Sequence, residues 1–222
     1  MPMRRSSAIA LLVLACLSWN ALADTTLRAP RAVVWKDFLG VNAQFQYFTP
    51  GVYQKQMDRL DALGLSWVRL AIHWAMIEPS ENDLQLDTLD AAMNAMQGRQ
   101  YRVLAYMVGS APFAANVPSG SPPSDQYPPK DFNVFAQRMK MLAQRYPQVN
   151  TWQVWNEPNI VWLPKEDPDA YDQLLTTTTS AIRAAIPDKP VATAGMAYYS
   201  QMRSTPGLSL IHISEPTRPL YI

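Results

Sequence analysis

The fold this sequence predicts is α/β, built of repeated strand–helix units and read as part of a closed (β/α)8 barrel. Three observations carry that reading. From residue 38 onward, strand-like and helix-like segments alternate, which implies a parallel sheet. A doubly wound sheet and a closed barrel both fit the alternation. No Gly-rich turn follows the first strand segment, so a dinucleotide-binding arrangement has no support. The strands also carry polar residues on one face, whereas strands of an open sheet covered on both sides read as nearly continuous apolar runs.

The elements follow in order. Residues 38–46 (FLGVNAQFQ) alternate as a strand does, with Asn42, Gln44 and Gln46 on one face. Residues 53–63 place Met57, Leu60 and Leu63 at helical spacing, and Gly64 stands where a helix C-cap belongs. Residues 66–74 (SWVRLAIHW) form the second strand. Val68, Leu70, Ile72 and Trp74 point one way, and Arg69, Ala71 and His73 the other. A helix over 86–97 carries Leu89, Met93 and Met96. Residues 101–108 (YRVLAYMV) are the third strand. A long Pro- and Ser-rich segment, 109–129, follows, and a long loop on that side of a barrel is usually functional. The helix over 131–146 has the apolar stripe Phe132, Phe135, Met139, Leu142 and Tyr146. The fourth strand spans 149–155, the fourth helix spans 168–186 behind Asp167 and Pro168, and 190–195 (PVATAG) starts a fifth strand. Polar inward residues near the C-terminal ends of strands suit a barrel whose site lies at that end.

The chain has 222 residues, 48% hydrophobic, with 19 basic and 18 acidic side chains and a formal charge of +1. That is a globular composition. A near-neutral chain lacks the basic field that nucleic acid demands, so nucleic acid is not expected as a partner. The two histidines, His73 and His212, form no ligand cluster, so no metal and no cofactor is expected. No G-x-S-x-G turn is present to seat a serine triad.

Residues 1–23 read as an export signal. Arg4 and Arg5 precede an apolar stretch over 8–17, and Ala21-Leu22-Ala23 forms an A-x-A site before Asp24. The expected location is periplasmic, with cleavage after Ala23. A second route is a lipid anchor at Cys16, the only cysteine, where VLAC (13–16) resembles a lipoprotein processing box.

The stretch WQVWNEPN (152–159) ends an apolar strand on a carboxylate. Pro158 disfavours the helical region for Glu157 and is expected to keep it extended at the strand's C-terminal lip. Strict alternation would send Asn156 and Glu157 to opposite faces, so both reach a site only if the strand departs from regularity there. Read alone, Asn-Glu-Pro is equally a plain turn.

WQVWNEPN resembles the strand-four signature of clan A glycoside hydrolases. FLGVNAQF (38–45), WVRLAIHW (67–74), YMVGSA (106–111), DQYPPKD (125–131) and VATAGMAYYS (191–200) are similar to the family 39-type glycosidases encoded with Psl exopolysaccharide biosynthesis genes. The resemblance covers about residues 28–200. It implies a (β/α)8 barrel that hydrolyses a biofilm exopolysaccharide with retention of configuration. Within it Glu157 matches the general acid/base and Asn156 the residue that bonds the sugar 2-hydroxyl. The nucleophile glutamate of that family lies near the end of strand seven. Alternatives are a carbohydrate-binding pseudoenzyme and another clan A enzyme such as a xylosidase. A possible association with exopolysaccharide-export machinery at the membrane goes with the resemblance.

Other residues are candidates for the sugar site. The resemblance suggests that Arg69 stands near the nucleophile, while a structural ion pair in the barrel is the alternative. His73 either lines the site or is a satisfied rim residue. Asn42 and Gln44 offer amides to hydroxyls or to the fold. Tyr106, Phe113, Tyr127 and Trp162 fall at or after strand ends, where rings serve either as sugar platforms or as packing.

A barrel needs eight strands and about 250 residues, and five strands are counted before Gly207. Residues 208–218 (LSLIHISEPTR) resemble the translation of a sequencing-library adapter. The expected organisation is therefore a signal peptide over 1–23, the first part of a catalytic barrel over 24–207, and an adapter artefact over 208–222. His212 and Glu215 are set aside as site residues, and the chain as written is expected to be inactive, because strand seven is missing.

Overall fold

The computed structural model describes residues 34, 37, 39–99 and 101–197. The export signal, Cys16 and the segment 208–222 lie outside the described residues. Five parallel strands form one sheet in the order β1-β2-β3-β4-β5: Gly40–Ala43, Trp67–His73, Arg102–Val108, Val149–Val154 and Val191–Ala192. Helices α1 (Pro50–Ala62), α2 (Asp87–Met96), α3 (Phe132–Arg145) and α4 (Pro168–Ala185) link successive strands. Sequential neighbours with no reversal are the order of a (β/α)8 barrel. A doubly wound sheet reverses direction at a switch point, and none occurs among these strands.

The register sorts the side chains. Asn42 pairs with Arg69, Arg69 with Leu104, and Leu104 with Thr151; one step on, Ala71 pairs with Tyr106 and Tyr106 with Gln153. These positions share the inner face. Val68, Leu70, Ile72, Val103, Ala105, Met107, Trp152 and Val154 take the other face and are buried.

Local chemistry sets the helices. Pro50 opens α1, where its missing N–H costs nothing. The helix therefore starts three residues before the expected 53. Asp131 caps α3 by accepting from the Asn133 N–H at 2.8 Å, and Asp167 caps α4 by accepting from the Ala170 N–H at 3.0 Å. Phe135, Met139 and Leu142 of α3 and Tyr171, Leu174 and Ile182 of α4 are buried, as their spacing requires.

Two strand lengths differ from the expectation. β1 stops at Ala43, and Phe45–Tyr47 forms a 3-10 turn. The turn is fixed because the Phe45 ring is buried and the Gln46 side-chain amide donates to the Ala71 carbonyl at 2.5 Å. β5 spans two residues, extended by the Trp152 N–H donating to the Pro190 carbonyl.

The long segment after β3 is ordered by its own bonds. Ala115 and Pro129 form an antiparallel bridge, and the Lys130 N–H donates to the Ala114 carbonyl. The Ser110 N–H and hydroxyl donate to the Asp125 and Tyr127 carbonyls. Gly109 has φ +74, and a Cβ there would meet the Asp125 carboxylate at 2.9 Å.

A buried ion pair ties the loop after β2 to α3. Arg138 donates twice to Glu78 at 2.6 Å, Trp74 Nε1 donates at 2.7 Å and the Asn82 N–H at 3.0 Å. The Glu78 side chain is 0% exposed. Burial alone would raise its pKa, but the bonds from Arg138, Trp74 and Asn82 together hold it below the usual carboxylate range.

Candidate functional site

The inner-face residues of four strands converge on Arg69. Its guanidinium donates from Nε to Gln153 Oε1 at 3.2 Å, from Nη1 to Asn42 Oδ1 at 3.0 Å, and from Nη2 to Asn156 Oδ1 at 2.7 Å. Its carbon lies 3.9 Å from the Tyr106 ring centroid, a cation–π stack. Among the described residues every acceptor of Arg69 is a neutral amide. Among the described residues no carboxylate forms an ion pair with it. Gln153 in turn donates from Nε2 to the Trp155 carbonyl at 2.7 Å. Neutral partners fix the orientation of the cation, and a cation so held favours an anionic group nearby.

The end of β4 explains how Asn156 comes to face this cluster. Trp155 has φ +64, a left-handed conformation that is uncommon outside glycine. Strict alternation would place Trp155 inside with Gln153, and Asn156 outside. The opposite is found. The Trp155 ring is fully buried, 5.8 Å from Phe135 of α3 and 5.3 Å from Trp162, and its Nε1 donates to the Val161 carbonyl. Asn156 turns in to Arg69.

Glu157 follows with φ +48. This corrects the expectation that Pro158 keeps it extended. The pre-proline preference is outweighed by three backbone bonds: the Glu157 N–H donates to the Gly195 carbonyl at 2.9 Å, and its own carbonyl accepts from Ile160 and Val161. The Glu157 side chain is half-buried and makes no hydrogen bond or ion pair among the described residues. It stands as a carboxylate at the lip of β4.

Other sequence candidates lie apart from the Arg69 cluster. Gln44 begins the turn after β1 and accepts from the Gln46 amide. His73 Nδ1 is 3.8 Å from the Asp125 carboxylate, and its ring lies 6.2 Å from that of Tyr47, at the rim. Trp162 is 3% exposed, packed against Trp155 and Tyr171. It is part of an aromatic core. Tyr127 is buried, and Phe113 packs edge-on against Trp74.

Gln153 and Asn159 also belong to this region. Gln153 is placed by the same alternation that marks Asn42 and Arg69. Asn159 has no periodic signal. Its Nδ2 donates to the Ala197 carbonyl at 2.8 Å and its Oδ1 accepts from the Ala197 N–H at 3.0 Å, joining the loops after β4 and β5. Among the described residues, no group of three or more His, Cys, Asp or Glu side chains could hold a metal ion. No described helix is long and apolar enough to cross a membrane.

No protein-family profile matches the chain, and no curated protein matches it. Solved structures do. A family 39 glycoside hydrolase from the gut symbiont Bacteroides cellulosilyticus WH2 shares 18% identity over 74% of this chain and 34% of its own, with a TM-score of 0.55. The exo-beta-1,4-mannosidase Op5Man5 from Opitutaceae bacterium strain TAV5 shares 18% over 68% of this chain and 30% of its own, at 0.55. Pseudomonas stutzeri endoglucanase Cel5A shares 16% over 72% and 52%, at 0.52. At these identities the likeness establishes the barrel-type α/β fold. The chain spans from about a third to about half of the length of these structures.

Proposed function

We propose that this chain is the first part of a retaining glycoside hydrolase with Glu157 as its general acid/base. The observation that carries the reading is the pairing of a carboxylate, Glu157, that has no side-chain partner among the described residues with a neighbouring amide, Asn156, oriented by Arg69. The likeness in fold to several glycoside hydrolases supports it.

The chemistry needs two carboxyl groups about 5–5.5 Å apart. In the first step, protonated Glu157 gives its proton to the glycosidic oxygen. A second glutamate attacks the anomeric carbon, and the C–O bond breaks to leave a glycosyl-enzyme. In the second step, ionised Glu157 takes a proton from water as the water oxygen attacks the same carbon and releases the nucleophile. Asn156 would bond the sugar 2-hydroxyl. Arg69 would hold the nucleophile ionised, a task for which a cation with only neutral partners is suited.

The nucleophile in this proposal is encoded beyond codon 207 of the parent reading frame. The substrate is a biofilm exopolysaccharide of the Psl type, met in the periplasm after cleavage at Ala23. The test is to sequence the source DNA across codon 207 with primers outside the adapter-like segment. Three further strand–helix units with a glutamate ending strand seven support the hydrolase. A frame that closes without that glutamate sinks it and leaves a carbohydrate-binding chain.

A further inference from the structure

We infer that Asn159 is a positioning residue for Glu157, an inference that rests on the reading of Glu157 as the acid/base. β4 and β5 pair in register at Trp152–Val191 and Gln153–Ala192. Beyond those pairs the two chains stay joined through the Glu157 N–H and the Gly195 carbonyl. The next residue, Pro158, has no N–H to continue the contact. Asn159 supplies the missing donor and acceptor from its side chain: one amide group bonds both the N–H and the carbonyl of Ala197. A side-chain amide thus stands in for a backbone unit and carries the β4–β5 contact two residues past the Glu157–Gly195 bond.

The contact matters because Glu157 is held in an unfavourable backbone state, φ +48 before a proline. Such conformations cost energy and persist only where the surroundings over-determine them. The clamps on this turn among the described residues include Gly195 on the Glu157 N–H, Ile160 and Val161 on its carbonyl, and Ala197 on Asn159. Asn159 is 7% exposed, so water does not replace its bonds freely. Without the Asn159 amide, the loop after β5 separates from the β4 turn, and the Gly195 carbonyl that fixes Glu157 moves with it.

The test uses the protein from the full parent reading frame, with Asn159→Ala and Asn159→Ser. The Ser variant keeps a hydrogen-bonding hydroxyl without adding a charge beside Glu157, and guards against failure of the Ala variant to fold. Carbon-13 NMR follows the Glu157 carboxyl through a pH titration, and hydrogen exchange follows the Ala197 amide. In Asn159→Ala, Ala197 exchange accelerates at least about tenfold, and the Glu157 signal and titration midpoint both move; Asn159→Ser shows a smaller change. Faster Ala197 exchange with an unmoved Glu157 titration overturns the inference, since Asn159 is then only a tie between loops. Release of reducing ends from exopolysaccharide separates this failure from failure of the parent reading. If Glu157→Gln abolishes release and Asn159→Ala leaves it unchanged, the positioning role falls and the acid/base reading stands. If Glu157→Gln leaves release intact, the acid/base reading falls, whatever the titration shows.

Discussion

Arg69 Nη2 and Asn156 Oδ1 are 2.7 Å apart, across 87 residues of sequence. The bond joins the middle of β2 to the second residue beyond β4, and it forms because Trp155 leaves the strand in a left-handed conformation. One backbone torsion therefore sends a tryptophan into the core behind the sheet and an amide into the site in front of it.

The fork geometry of Arg69 gives the first prediction. Arg69→Lys keeps a positive charge but cannot reach three amide oxygens from a planar group. In the parent enzyme we expect a loss of about 100-fold in kcat/KM, from misplacement of Asn156. Steady-state kinetics on exopolysaccharide checks this. A loss below about threefold would show that charge alone suffices.

Glu78 and Arg138 give a stability prediction. Arg138→Ala leaves a buried carboxylate without its cation and should cost about 3–5 kcal/mol in denaturant unfolding. Replacing both with apolar residues, Glu78→Met with Arg138→Leu, should cost less than the single change.

The same pair sets an acid limit. The folded pKa of Glu78 lies below its unfolded value, so its contribution is fully present above about pH 4.5 and is lost as pH falls through the folded value. Asp90 acts in the same direction, because the bond from Arg145 lowers its pKa. Thermal unfolding should show the melting temperature falling below about pH 4.5. In Arg138→Ala, burial raises the Glu78 pKa, so the protein should instead gain stability as pH drops from 7 toward 5.

Gly109 gives a local prediction. Gly109→Ala adds a Cβ at φ +74 and 2.9 Å from the Asp125 carboxylate. It should destabilise by about 1–3 kcal/mol and loosen the loop after β3, read as faster hydrogen exchange at the Ser110 amide.

Much of the fold was legible because strand and helix periods differ. The alternation in SWVRLAIHW separated Arg69 and His73 from Val68, Leu70 and Ile72, and the register puts Arg69 on the inner face as that pattern requires. Asp131 and Asp167 stand at helix starts as their chemistry demands. What the pattern could not show is where alternation breaks. The reversal at Trp155 and Asn156 depends on packing behind the sheet against Phe135 of α3 and Trp162 of the loop after β4. The packing of Trp162 arises the same way, since a ring after a strand end reads alike whether it faces a sugar or a core. The Asn159 contact was hidden because its bonds to Ala197 go to backbone, which leaves no mark in residue type.

The central claim is that Glu157 protonates a leaving group. It is tested most directly by Glu157→Gln in the protein from the full reading frame, assayed on two glycosides of one sugar that differ in leaving-group ability. The account predicts a loss of about three orders of magnitude or more on the poor leaving group, and a much smaller loss in the glycosylation step on the activated one, which departs with little protonation. Equal losses on both substrates would contradict it.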